Sequence, residues 1–184
     1  KENIPAKIIF GENPLWAVYM PQLKMVSSKD FTDTILQNYP EAKDFNLIAA
    51  GHGYSLSPDI MPIKVDKEYL KTAILPFEMA EKADIPVWIT EISDVNPLDI
   101  SIHDGLKWAV TFHNYLTKAN VNAIIWWGGA MPTSNNESLI ILDKNRKDFL
   151  LSKRYDIFGN FSRYIPEEST RIQVTQSSGI PLLI

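Results

Sequence analysis

Short apolar runs of strand length alternate with longer segments of helical period along this chain, and few folds accommodate that alternation other than parallel strands joined by crossover helices. The strands are expected at residues 6–10, 45–50, 86–90 and 121–127. Each stops at a breaker or a cluster of polar and aromatic residues: Gly11-Glu12-Asn13-Pro14, Gly51-His52-Gly53-Tyr54, Glu91, and Gly128-Gly129. Between them helices are expected at 28–39 with Ser28 as cap, at 66–83 with Pro76 bending or interrupting it, and at 99–119 with Asp99 as cap. In the last, Ile102, Leu106, Ala109, His113 and Leu116 recur at helical spacing and are expected to face the sheet, which makes His113 a core histidine.

Beyond the fourth strand, segments 138–142 and 149–152 flank a polar turn at 143–147 and read as a hairpin, followed by a helix over 153–164. Arg171-Ile172-Gln173-Val174-Thr175 alternate as a strand does. Four strand-helix units are half of a closed (β/α)8 barrel, which takes ~250 residues against the 184 here. The expected fold is therefore α/β, half of a TIM barrel. The alternative, an open parallel sheet, would leave both of its edges bare.

Composition narrows the function. With 45% hydrophobic and 22% charged residues the chain can bury a core, and its net charge of −4, with no long basic run, argues against a nucleic-acid partner. No cysteine means no disulfide, thiolate metal site or cysteine nucleophile in this chain. No apolar run approaches the ~18 residues of a membrane span, and residues 1–7 lack the apolar stretch of a signal peptide. There is no metal-ligand triad, no Gly-rich phosphate loop and no Gly-x-Ser-x-Gly elbow, so neither metal nor cofactor is expected.

Glu91 ends an apolar strand, so its carboxylate is expected to emerge from a buried wall onto the face where barrel sites form. A helix cap or a structural salt bridge is the alternative. Glycosyl transfer needs such a group: in a retaining glycosidase one carboxylate attacks the anomeric carbon while another, ~5–5.5 Å away, protonates the leaving oxygen. His52 and Tyr54 can bond sugar hydroxyls, orient Glu91, or simply fill the barrel mouth. Trp127, or else Trp126, offers a face on which a pyranose can stack; strand alternation lets only one of them face the interior. Trp16, after Glu12, is a further stacking candidate, with surface cover as its alternative. Lys153 and Arg154 are expected to be solvated, or to bridge to the rest of the barrel.

Taken in order, Gly51-His52-Gly53-Tyr54, Trp88-Ile89-Thr90-Glu91, Trp126-Trp127, Ser152-Lys153-Arg154-Tyr155 and Asn160-Phe161-Ser162-Arg163-Tyr164-Ile165-Pro166 resemble glycoside hydrolase family 30. The resemblance implies the C-terminal half of the barrel, strands five to eight, over 1–165, and the opening strands of a side β-sandwich over 166–184. It implies that Glu91 is the nucleophile, that Glu12 lines the site for substrate binding or for tuning Glu91, and that the His52-Gly53-Tyr54 string and the Trp126-Trp127 pair close the sixth and eighth strands. The family's acid/base, an Asn-Glu pair closing the fourth strand, maps before residue 1, in the N-terminal half of the barrel; Asn136-Glu137 lies in a polar loop and does not replace it. The implied activity is hydrolysis of β-glycosidic bonds in a polysaccharide or glycoconjugate by a secreted or extracellular enzyme, with the fragment inactive alone. Residues 128–143 contain no Lys or Arg, which disfavours glucuronoxylan and leaves neutral xylan, β-glucan or glucosylceramide-like substrates. A non-catalytic carbohydrate-binding descendant of the barrel is the competing function.

Overall fold

The computed structural model describes residues 6–17, 26–54, 74–145 and 147–174. Its main sheet holds β1 (Ile8–Phe10), β2 (Leu47–His52), β3 (Val87–Ile92) and β4 (Ala123–Trp126), all parallel and paired in chain order. Helices α1 (Ser28–Asn38), α2 (Glu78–Lys82) and α3 (Ile102–Lys118) lie between the strands. Sequential order matters, because right-handed crossovers then put every helix on one face, the winding of a barrel; a doubly wound sheet reverses its order. The mixed α/β architecture with a four-stranded parallel sheet is consistent with part of a TIM-barrel-like domain.

One core fills the space between that face and the helices. Ala49, Val87, Ile89 and Trp126 from the strands meet Leu36, Ala80, Trp108, Phe112 and Tyr115 from the helices. Ile125, on the opposite face by alternation, is 46% exposed. The α3 stripe differs from expectation. Trp108, Phe112 and Tyr115 are buried, whereas Ile102 and Leu106 are about half exposed at 49% and 50%. Two apolar stripes compete on this helix, and the aromatic one, with more area to remove from water, takes the sheet. His113 sits at its margin, half-buried, with Nδ1 unpartnered among the described residues.

Several boundaries move for local reasons. Ser27, not Ser28, caps α1, its hydroxyl accepting from the Asp30 amide at 3.1 Å; Ser28 is already helical. The cap of α3 is Ser101, and Asp99 accepts from its amide at 2.8 Å instead. Helix α2 begins after Pro76, while residues 66–73 of the expected helix lie outside the described residues. After β4, β5 (Ala130–Met131) pairs in parallel with β6 (Ile140–Asp143), which forms the expected hairpin with β7 (Asp148–Leu151). Helix α4 (Lys153–Tyr164), capped by Ser152, packs its Phe158 and Phe161 on Phe112 of α3 at 5.6 Å each. Residues 171–174 form no strand, with Ile172 and Val174 exposed; 175–184, which would continue the sandwich, lie outside the described residues. No helix among the described residues is long and apolar enough to cross a membrane.

Arg154 departs most from expectation. The residue is fully buried, and its Nη1 donates to Asp104 Oδ2 at 2.5 Å, to the Asp99 carbonyl at 2.6 Å and to Asn136 Oδ1 at 3.0 Å. Nη2 reaches the Ser138 carbonyl at 3.1 Å. Lys107 extends the network, lying 2.7 Å from Asp94 and 2.9 Å from Asp104. Burial alone would lower this ammonium's pKa, but its bonds to the two carboxylates override that and raise it. A single guanidinium thus ties α4, α3 and the loop after β5 into one body.

Candidate active site

The carboxyl ends of adjacent strands bring Tyr54, His52, Glu91 and Trp127 to one side of the sheet. Glu91 lies within β3, in register with His52 of β2 across an irregularity after Gly51. Residues His52, Gly53 and Tyr54 leave β2 under restraint: the His52 amide donates to the Asn13 carbonyl at 3.0 Å, and the Gly53 amide to the Glu91 carbonyl at 2.8 Å. Gly51 permits that exit, since a Cβ there would stand 2.5 Å from Ser28 Cβ at the start of α1. The loop after β1, the first turn of α1 and the end of β2 are therefore packed against one another.

Glu91 is a supported carboxylate. The Tyr54 hydroxyl donates a hydrogen bond to its Oε1, and His52 Nε2 stands 3.8 Å from Oε2. The rings of His52 and Tyr54 meet edge to face at 5.6 Å, fixing each other's orientation. Burial, and then the bond donated to Glu91, push the Tyr54 phenol well above its ordinary pKa; a hydrogen bond from Ser93 pulls slightly the other way. The phenol accordingly stays a donor at neutral pH. Glu91 keeps 24% of its side chain exposed, so the carboxylate is held without being sealed away.

Of the paired tryptophans, Trp126 is buried under α3, 4.6 Å from Trp108, and Trp127 is 49% exposed. Alternation separates them as expected. The Trp127 amide bonds the Ile92 carbonyl at 3.0 Å, fastening it to the end of the Glu91 strand. Glu12 follows β1 with an exposed side chain.

Trp16 requires a correction. It is fully buried, its ring centre 4.4 Å from that of Phe77 and 5.2 Å from that of Tyr115, with Nε1 donating to the Leu75 carbonyl at 3.0 Å. Both faces are covered, so no sugar can stack there; a large ring beside apolar α2 and α3 gains more from the core than from the surface. Sequence reasoning also passed over Ser93 and Glu137, the latter accepting from Trp127 Nε1 at 3.0 Å. The only signal for Glu137 was its place in a polar loop, which says nothing of where the loop folds.

Among the described residues no group of three or more His, Asp or Glu is placed to hold a metal ion. A hollow of about 430 Å³ lined by Glu81, Asp84, Val87 and Asn122 opens at the amino ends of β3 and β4, away from Glu91. At the other end stand the Glu91 carboxylate bonded by Tyr54 and, at the end of the neighbouring strand, the exposed Trp127 indole; a fixed carboxylate can attack an electrophilic carbon or stabilise charge next to one.

No family model matches the sequence. Among solved structures, the catalytic domain of GH30 xylanase C from Talaromyces cellulolyticus superposes with a TM-score of 0.59 at 19% identity, over 82% of this chain and 31% of that one. A conserved exported protein from Bacteroides fragilis superposes with a TM-score of 0.57 at 21% identity, over 86% of this chain and 37% of that one. The chain has a GH30-like fold, and it spans about one third of the length of these structures.

Proposed function

We propose that this chain is the nucleophile-bearing part of a retaining β-glycosidase that acts on a polysaccharide or glycoconjugate. The observation that carries the reading is the Glu91 carboxylate, presented at a strand end and bonded by Tyr54, with His52 3.8 Å away and the exposed Trp127 at the end of the neighbouring strand. Glu91 attacks the anomeric carbon, the glycosidic C–O bond breaks, and a protonated aglycone leaves. Water then cleaves the glycosyl-Glu91 ester with retention of configuration. Tyr54 keeps one carboxylate oxygen hydrogen-bonded so that the other faces the sugar, and His52 stands beside that second oxygen.

In this reading the acid/base comes from the remaining part of a closed barrel that covers the bare face around Ile125, and the chain alone is inactive. Glu12 lines the same mouth. Xylan, β-glucan or a glucosylceramide-like lipid supplies the substrate, and the enzyme is exported, as the Bacteroides fragilis protein of similar fold is described to be. The test is Glu91→Ala in the complete gene product that contains this chain. Hydrolysis should fall by several orders of magnitude and return with azide as a glycosyl azide; undiminished hydrolysis would end the assignment.

A further inference from the structure

Glu137 makes contacts that the mechanism above leaves unused. Its Oε1 accepts from Trp127 Nε1 at 3.0 Å and its carbonyl accepts from Trp126 Nε1 at 3.0 Å, so one residue grips both indoles of the pair. The negative charge is felt at the Tyr54 phenol, where it adds to the upward pull on the proton. Trp127, whose Nε1 this carboxylate accepts from, is bonded through its amide to the carbonyl of Ile92, the residue after Glu91, so the carboxylate stands at the end of the strands that carries Glu91. Its Oε2 has no hydrogen-bond partner among the described residues.

The loop that carries Glu137 is anchored on both sides. Asn136 is 2% exposed and Ser138 is fully buried, and Arg154 bonds the side chain of the first and the carbonyl of the second. The turn from β4 closes against it: Gly128, at φ 83°, would bring a Cβ within 2.8 Å of the Glu137 carbonyl. Glu137 is consequently a partly exposed carboxylate between buried supports, beside the one exposed tryptophan of the pair.

A carboxylate only accepts hydrogen bonds. Fixed next to a stacking platform, it pairs with the hydroxyls of an uncharged sugar and repels a sugar acid. Residues 128–143 contain no Lys or Arg to offset that repulsion. We propose that Glu137 determines specificity here: Oε1 sets the plane of the Trp127 indole while Oε2 accepts from a sugar hydroxyl, so that neutral glycans are taken and uronate-bearing ones refused. The proposal deepens the glycosidase reading and rests on it for the class of substrate.

Matched β-linked oligosaccharides with and without a glucuronate branch test it in the complete gene product. Glu137→Gln keeps an oxygen for Trp127 and removes the charge. It should raise KM for the neutral substrate several-fold with kcat within about twofold, and should narrow the preference for neutral over uronate substrate about tenfold, equivalent to ~1.4 kcal/mol. Glu137→Asp, which keeps the charge, should retain the preference. Unchanged preference in the Gln variant, with hydrolysis intact, overturns the role of Glu137 and leaves the glycosidase reading standing. If neither substrate is cleaved, that reading fails, and quenching of Trp127 fluorescence by the same sugars decides for Glu137. Binding of the neutral sugar alone by the wild type, with the uronate admitted by Glu137→Gln, supports the proposal; equal binding of both, or of neither, by the wild type overturns it.

Discussion

The phenol of Tyr54 donates a hydrogen bond to Oε1 of Glu91, joining the end of β2 to the end of β3. Neither residue could hold its position by local preference alone. Gly51 lets β2 pack close to α1, and Gly53 bonds the Glu91 carbonyl, so the geometry is a property of the assembled sheet.

Removing the donor should therefore slow catalysis without unfolding the protein. Tyr54→Phe is expected to lower kcat/KM by about ten- to a hundredfold, the effect of losing a hydrogen bond of ~1.5–3 kcal/mol to a charged group. Alkaline titration checks the same contact independently. The folded-state pKa of Tyr54 is raised above the ordinary 10.0 of a phenol, so the protonated phenol favours the folded state below that pH, and this contribution is lost as pH rises through the folded pKa. Above pH 10 the melting temperature of the wild type should fall faster than that of Tyr54→Phe.

The adjacent tryptophans should behave oppositely. Trp126→Ala removes a ring packed on Trp108 and Phe112 and should cost about 3–5 kcal/mol of stability in denaturant unfolding. Trp127→Ala leaves that core untouched and should cost little stability while weakening sugar binding, as read by KM or by oligosaccharide titration.

Arg154 makes a strong stability prediction. Arg154→Met leaves the buried Asp104 carboxylate without its guanidinium and should destabilise by about 3–5 kcal/mol, whereas Arg154→Met combined with Asp104→Leu should cost less than the sum of the single changes. Urea unfolding of the four proteins in that cycle measures the coupling.

His113 supplies an acid-side prediction. Burial, and then the nearby Lys118 charge, hold its pKa below the ordinary 6.5. The unfolded chain takes up this proton first, so stability that is present above pH 6.5 is lost as pH falls through the lower folded value. His113→Gln should flatten the fall in melting temperature below that pH.

Strand order, the hairpin and the strand-end positions of Glu91, Tyr54 and Trp127 were legible because apolar runs and breakers are local signals. The buried face of α3 was not, because Ile102–Leu106 and Trp108–Phe112 offer competing stripes whose contest is settled by the aromatic side chains of β4 and α4. Trp16 and Arg154 misled for a related reason. Each looks like a surface residue in its own segment, and each is buried by partners about fifty or more positions away: Leu75 for the indole, Asp99 and Asp104 for the guanidinium. Glu137 was hidden in a polar loop whose path depends on that buried guanidinium.

The central claim, a covalent bond between a sugar and Glu91, is tested most directly by mass spectrometry. The complete gene product would be incubated with an activated 2-deoxy-2-fluoro-β-glycoside, which slows the second step of a retaining mechanism, and then digested. The account predicts one added glycosyl mass on the peptide containing Glu91, absent from the Glu91→Ala variant. A label on any other residue, or turnover of the substrate with inverted configuration and no label, would contradict it.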